Sequence, residues 1–447
     1  MKTGSGKVGV GVIGFGTIGT GVVRILSEHA ASIADRLGGD LELVRVADLD
    51  TGTDRGVALA DGVLIDDARA LIADPEVDVV VELVGGIEPA KTFLLEAIAA
   101  GKSVVTANKA LLSEHGPELA AAAENAGVAL GFEASVGGGI PIVRVLREAL
   151  AGDVNSEVYG IVNGTANYIL SEMSAGNGEF AGVLEHAQKM GLAEADPTYD
   201  VDGIDSLHKL VILVALAFGK RIQPSDVHVE GIREISSVDI EYAQEFGYAI
   251  KLLAVARNTE DGVEARVHPS MVPTGHLLSQ VSGAFNAVCL GGAALGTSIY
   301  YGQGAGMMPT ATAVVADVID AARLRIGGES GGGAATATYG LPLEQLEEAK
   351  VVPMAQTRHE HYLRLNCQDR PGVLASIAAL LAEEGISLAT VSQHGARSGD
   401  SVPVVMRTHR ALEAAMSRAL DRIAALDGVH GKPVVIRVEQ TLGSEEG

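Results

Sequence analysis

Glu194, Asp200, Asp202, Asp205 and Lys209 fall in one short stretch, Gly191-Leu-Ala-Glu194-Ala-Asp-Pro-Thr-Tyr-Asp200-Val-Asp202-Gly-Ile-Asp205-Ser-Leu-His-Lys209. The pattern is a carboxylate-rich loop entering a helix, with Asp205 and Lys209 at i,i+4 on one face. Leu210 to Phe218 is an unbroken apolar run, so the helix is expected to be buried with its amine at the mouth of the core. A semi-buried lysine beside carboxylates is a candidate for proton transfer. Interconverting an alcohol and a carbonyl needs a proton carrier at the oxygen while hydride moves at the carbon. A lysine can fill that role if desolvation or neighbouring cations bring its pKa down from about 10.4 toward neutrality. A carboxylate would raise it instead, so Asp205 reads as positioning the lysine or a substrate ammonium, and Glu194 as pairing with that ammonium. Plainer readings stand beside this one: Asp202 as a helix cap, and Asp205 with Lys209 as an ordinary ion pair. An EF-hand frame is rejected, because it would put Lys209 where the bidentate glutamate belongs.

These groups need a scaffold, and the start of the chain supplies half of it. Residues 8–13 (Val-Gly-Val-Gly-Val-Ile) read as a buried strand, then Gly14-Phe15-Gly16-Thr17-Ile18-Gly19 leads into a helix from Thr20 to His29. Strand, tight glycine turn and helix is the setting a dinucleotide fingerprint requires. Gly14 and Gly16 would let backbone turn tightly and approach a pyrophosphate, which the helix N-terminus would face, and Gly19 would allow close packing on the sheet. Further apolar runs at Leu41–Ala47, Val77–Val84 and Ser103–Thr106, with helical stretches such as Pro89–Ala100 between them, predict a doubly wound, Rossmann-like parallel sheet. Asp48 and Asp50 could bind a ribose 2′-hydroxyl, whereas Arg45 and Arg55 could meet a 2′-phosphate, so NAD and NADP both stay open. Lys109 follows the Ser103–Thr106 strand, where ligands of open α/β sheets bind. It is a second candidate, either near a nicotinamide, or holding a substrate carboxylate, or simply a surface lysine.

From about residue 135 the pattern changes to glycine turns, long helices and β-rich runs (Glu157–Val162, Val227–Ile232, Val263–Val272, Phe285–Leu290). We expect a dinucleotide-binding domain over 1–134, an α+β domain for substrate and dimerisation over 135–340, and a connector over 341–358. The helix expected at 310–326, after the glycine loop Gly302-Gln303-Gly304-Ala305-Gly306, is a candidate to pack back onto the first domain. A glycine-rich loop is expected at 327–335. Residues 359–440 show a βαββαβ order, the ferredoxin-like split unit, with a turn at Asp369-Arg370-Pro371-Gly372. The charged end, 441–447, is expected to be disordered.

Composition narrows the partners. The 447 residues carry 33 basic against 57 acidic side chains, a formal charge of -24, which argues against nucleic acid or an anionic membrane surface. A small-molecule substrate fits better. No apolar run approaches the roughly 20 residues of a spanning helix, and no export signal stands out, so a cytoplasmic location is expected. Cys289 and Cys367 have neither disulfide nor metal-ligand spacing and read as buried, inert thiols. That weighs against a dehydrogenase working through a thiohemiacetal, which needs an activated cysteine. A regulatory sensor that binds the dinucleotide without turnover is the other rival.

The chain resembles the homoserine dehydrogenases, in the longer form with a C-terminal ACT domain. The resemblance runs through Gly14–Gly19, Val-Glu-Leu-Val-Gly-Gly at 81–86, Thr-Ala-Asn-Lys-Ala at 106–110 and Asn-Gly-Thr-Ala-Asn-Tyr-Ile-Leu at 163–170. It continues through the Glu194–Lys209 stretch and the Gly304–Ala311 segment. It implies NAD(P)H-dependent reduction of L-aspartate 4-semialdehyde to L-homoserine, on the route to threonine, methionine and isoleucine. Lys209 would then donate the proton, Glu194 and Asp205 would bind substrate, and Lys109 would lie by cofactor and substrate. Phe15, Thr17, Ile18, Gly191 and Gly306 match cofactor-contacting positions. The resemblance also implies a sodium ion on backbone groups of Glu133, Val136, Gly138 and Ile140. It further implies an amino-acid effector, threonine, at Asp369, Arg370, Pro371 and Gly372, and a homodimer or homotetramer. Gln303 departs from the family, where many members carry proline.

Overall fold

The computed structural model of the protein describes residues 6–329, 337–393 and 401–440. The expected tail at 441–447 and most of the expected loop at 327–335 lie outside the described residues.

Six strands, β1 Lys7–Ile13, β2 Asp40–Ala47, β3 Leu64–Ile65, β4 Val79–Glu82, β5 Ser103–Thr106 and β6 Leu130–Gly131, form one sheet in the order β3-β2-β1-β4-β5-β6. Every pairing is parallel. This is the doubly wound dinucleotide order, with its topological switch between β1 and β4. Both faces are covered by helices, which is why β1 and β4 read as apolar runs without alternation. One covering helix comes from far along the chain. Met307–Glu329 lays Ala311, Val314, Val315 and Val318 into the core formed by Val8, Val10, Val12 and Val22. It crosses the first helix, Thr17–Glu28, at Gly21, where a Cβ would lie 2.9 Å from the Ala311 methyl.

The remaining strands are β7 Asn155–Ile161, β8 Lys220–Arg221, β9 His228–Val229, β10 Tyr248–Thr259, β11 Gly262–Pro273, β12 Phe285–Gly292 and β13 Gly296–Gln303, followed by β14 Glu347–Glu348, β15 Arg358–Cys367, β16 Leu388–Gln393, β17 Val402–Thr408, β18 Ala411–Leu412 and β19 Val429–Val438. A mixed sheet runs β13-β12-β7-β10-β11-β19-β15-β17-β16, with β9 beside β11 and β18 beside β15. The helices Gly164–Ser174 and Ile204–Phe218 pack against its middle.

Residues from β15 to β19 fold as the expected βαββαβ unit, with helices Val373–Glu383 and Glu413–Ala424 over a core of their own. The sequence did not announce how that unit joins the rest. β19 pairs in parallel with β11 (Ser270 with Arg437, Met271 with Val438), and Glu439 N–H donates to the Met271 carbonyl at 3.0 Å. The two lobes therefore share one sheet. The connector is also tied down, since β14 pairs with β8 and Val351 bridges Val263.

Candidate active site

Lys209 lies in the second turn of the helix Ile204–Phe218, whose Leu210–Leu216 segment is wholly buried. The helix starts at Gly203, which takes φ +85° and offers no side-chain cap. Asp202 does not cap it; its carboxylate is held by the Arg233 guanidinium at 2.5 Å. Gly203 is needed there: the positive φ turns the chain sharply, and a Cβ would press on Val229 and Val267 at 3.0–3.1 Å.

From this helix the Lys209 ammonium donates to the Asp205 carboxylate at 2.7 Å and to the Val162 carbonyl at 2.6 Å. Asp205 is buried, and its other oxygen lies 3.3 Å from Lys109 Nζ. Lys109 comes from the other lobe, as the first residue of the helix Lys109–Ala126 just beyond β5. Asn108 caps that helix, accepting from Leu111 N–H at 3.1 Å, and its amide donates to the Gly86 carbonyl. Beneath it, the buried Glu82 accepts from the Thr106 hydroxyl at 2.6 Å and from Val84 and Gly85 N–H. The two candidate lysines thus meet across the cleft on a single carboxylate.

Asn163 completes the cluster. As N-cap of the helix Gly164–Ser174 it accepts from Ala166 N–H, while its amide donates to Asp200 at 2.8 Å and Asp205 at 2.9 Å. Thr165 in the same turn donates to the Leu192 carbonyl, tethering the Glu194 loop beside the site. Glu194 is exposed, and its backbone carbonyl accepts from Gln188. The Asn-Gly-Thr before a helical run was a legible N-cap signature; what it reaches was not.

Burial strips water from the Lys209 ammonium and pushes its pKa down. Asp205 opposes the shift and Lys109 adds to it. Burial alone would raise Asp205, but Lys209 and Lys109 hold it below the usual carboxylate range. Asp200 is pushed up by burial, against its bond from Asn163. The result is a buried amine whose proton is held less firmly than in water, next to a permanent anion.

The glycine turn of the first lobe keeps the geometry of a phosphate cradle. Gly14 has φ +97°, and a Cβ there would meet the Leu83 carbonyl at 2.7 Å. At Gly19 a Cβ would fall 2.0 Å from the Gly14 oxygen, whereas at Gly16 nothing lies within 4 Å. Gly16 is the N-cap of Thr17–Glu28 without a side-chain cap, so the first N–H groups, from Thr17 and Ile18, face this opening. Asp48, read as a ribose ligand, already accepts from Phe15 N–H at 2.5 Å and Asp50 N–H at 2.8 Å. Arg55 lies over the Phe15 ring at 4.8 Å and beside Asp48 and Asp50.

The family whose description is "Homoserine dehydrogenase" matches residues 141–319, that described as "Homoserine dehydrogenase, NAD binding domain" matches 14–133, and the ACT domain matches 361–428. The chain belongs to the homoserine dehydrogenase family. The homoserine dehydrogenase of Pseudomonas aeruginosa is 43% identical over 93% of this chain and 95% of its own length. That of Corynebacterium glutamicum is also 43% identical, over 94% of this chain and 93% of its own. A crystal structure of a homoserine dehydrogenase from Thiobacillus denitrificans superposes with TM-score 0.90 at 44% identity, covering 97% of this chain and 98% of that one. A hyperthermophilic archaeal homoserine dehydrogenase in complex with NADPH aligns over 70% of this chain and 97% of its own, at TM-score 0.60 and 27% identity.

The other positions that the homoserine dehydrogenase resemblance singles out are spread through the fold. Gly191 and Gly306 both take positive φ, +72° and +119°. Glu133, Val136, Gly138 and Ile140 lie in one buried turn. The Glu133 carboxylate accepts from Val143 and Arg144 N–H, both at 2.9 Å. Gly138 abuts the Gly304 carbonyl, and Gly139 N–H donates to Gln303, so this turn braces the loop that carries Gly306. Among the described residues no group of three or more His, Cys, Asp or Glu side chains could hold a metal ion. Asp369, Arg370, Pro371 and Gly372 form an exposed turn, with Arg370 tied to Asp427 and Gly372 at φ +94° capping the following helix. Both cysteines are buried, and burial pushes the Cys289 thiol up to about 12. Among the described residues no helix is long and apolar enough to cross a membrane.

Proposed function

We propose that the chain reduces L-aspartate 4-semialdehyde to L-homoserine, reversibly, with Lys209 carrying the proton. The supporting observation is the Lys209–Asp205–Lys109 contact, in which a buried amine and an amine from the dinucleotide lobe converge on one carboxylate. The reduced nicotinamide, when bound, supplies a hydride to the aldehyde carbon. Lys209 donates an N–H proton to the carbonyl oxygen as it gains charge, leaving a neutral amine that burial makes tolerable. Asp205 and the Val162 carbonyl keep that amine in place for reprotonation. Glu194, exposed and tethered through Thr165, pairs with the substrate ammonium.

Gly14, Phe15, Gly16, Thr17, Ile18 and Gly19 would hold the dinucleotide at the glycine turn, Gly191 and Gly306 would contact it elsewhere, and Lys109 would lie by cofactor and substrate. Arg55 is the cation available to a 2′-phosphate, and the Asp48–Asp50 turn to a free ribose, so both NADP and NAD are read as cofactors. Sodium would sit on the carbonyls of Glu133, Val136, Gly138 and Ile140, stiffening the turn behind the Gly306 loop. The Asp369–Gly372 turn is read as the threonine site in a homodimer or homotetramer. The reaction would serve threonine, methionine and isoleucine formation.

The test is oxidation of L-homoserine followed at the nicotinamide absorbance, on wild type and Lys209→Ala. Turnover by the wild type and its loss in the variant are expected. Absence of turnover with either cofactor would return the chain to the sensor reading. Run with and without threonine, and with sodium replaced by tetramethylammonium, the same assay decides the effector and the ion.

A further inference from the structure

Lys109 has a second contact that the reading above does not use. Its ammonium lies 5.4 Å from the ring centroid of Tyr199, within cation–π range. Tyr199 belongs to the single-turn helix Thr198–Val201, between the Glu194 loop and the Lys209 helix, and is 37% exposed. Little packing fixes such a ring. What fixes it is the next helix: the Tyr199 hydroxyl meets His208 Nδ1 at 2.6 Å, and the two rings tilt together at 5.6 Å. His208 adjoins Lys209 in sequence.

We propose that Tyr199, latched by His208, is a positioning residue that holds the Lys109 ammonium at the rim of the cleft. Asp205 supplies the charge on one side of Lys109 and the ring supplies the π face on the other. Two contacts from one lobe thereby locate a long, flexible side chain that the other lobe sends across the cleft. A lysine held by Asp205 alone could pivot about that carboxylate at little cost, because an ammonium is a point charge with no preferred plane. The latch direction follows from its surroundings. Burial raises Tyr199, with Asp205, Asp200 and Glu114 adding to it, and burial lowers His208, with Lys109 helping against Glu114 and Asp205. Both shifts favour a protonated phenol beside a neutral imidazole, so the hydrogen bond between them adds no cation to the two lysines.

The inference rests on the proposed homoserine chemistry, so the test separates the two. Tyr199→Leu should lower kcat/KM for homoserine about tenfold, Tyr199→Phe and His208→Ala about two- to threefold, all with unchanged thermal midpoints. In a Lys109→Met background, Tyr199→Leu should cost nothing further, since its effect passes through Lys109. A full additional tenfold loss in that background would overturn the proposal while leaving the reaction standing. So would a Tyr199→Leu variant with wild-type kcat/KM, which would take the role away from the ring. Failure of the wild type to oxidise homoserine would overturn the underlying reading, and this inference with it.

Discussion

Two of the groups of charges that the molecule buries are built from different cations. At the cleft, two lysines share Asp205. At the seam where β11 meets β19, the cations are arginines, each bound by at least one carboxylate. Arg266 binds Glu439 at 2.8 Å and Glu264 at 3.0 Å, Arg257 binds the other Glu439 oxygen at 3.1 Å, and Arg437 binds Glu413 at 2.5 Å and Glu230 at 2.8 Å. A guanidinium never gives up its proton in a protein and presents a flat fork to carboxylates, while a desolvated lysine titrates readily. Permanent charges thus join the lobes, and transferable ones do chemistry. The seam sets three arginines against four glutamates, whereas the cleft gathers two lysines around Asp205, with Asp200 beside it on Asn163.

Removing one seam partner should be the most damaging single change. Glu439→Ala strands Arg266 and Arg257 and should cost about 3–5 kcal/mol in denaturant unfolding, with turnover per folded molecule retained. A loss under about 1 kcal/mol would erase the contrast. At the cleft the expectation inverts. Lys209→Ala should cut kcat by at least about 10²-fold while cofactor binding persists, and the midpoint of unfolding should fall less than in Glu439→Ala, because Lys109 and Asn163 still compensate Asp205. Near-normal turnover would remove Lys209 from the proton role. Smaller still, Glu194→Ala should raise KM for homoserine about tenfold with kcat little changed, as loss of one exposed ion contact implies; an unchanged KM would reject its ammonium contact.

Acid sharpens the comparison further. At the seam, Glu413 is ionised down to about 2 through its partners His361 and Arg437, although burial pulls the other way. Buried His268 stays neutral to about 3. A depressed carboxylate contributes stability that is full above about 4.5 and is lost as pH falls toward 2, and a depressed histidine loses stability below about 6.5. Thermal midpoints should therefore fall steadily from near pH 6.5 downward, and Glu413→Gln should flatten the lower part of that curve. A curve unchanged in the variant would show that Glu413 does not carry it.

Local features were the legible ones. The strand, glycine turn and helix at Val8–His29 could be read because each step has a residue-level cause, and so could the i,i+4 pair Asp205–Lys209 and the βαββαβ order. β10 went unread, since Tyr248–Thr259 is buried over most of its length and lacks the alternation that marks a half-exposed strand. The Asn163 bridge, the Tyr199–His208 latch and the Arg266–Glu439 pair were equally invisible. They join segments by tertiary contact, and nothing in the spacing of an asparagine or a glutamate says which distant partner it meets. The seam also bears on truncation. Cutting the chain near residue 350 would remove Glu439 and bare the β11 backbone at Ser270 and Met271, so the remaining catalytic part should be far less stable than a separable regulatory domain would predict.

The same pairing sets a timetable for synthesis. Arg266 leaves the ribosome 173 residues before Glu439, the carboxylate it will be buried against. Until then Glu264 is its one carboxylate partner among the described residues, and burying the guanidinium costs more. A nascent chain lacking only its last strand would hold a finished dinucleotide lobe beside an unfinished centre, exposed to proteases and chaperones. In this protein the strand that joins the two halves of the mixed sheet, β19, is made after the strands on both sides of it.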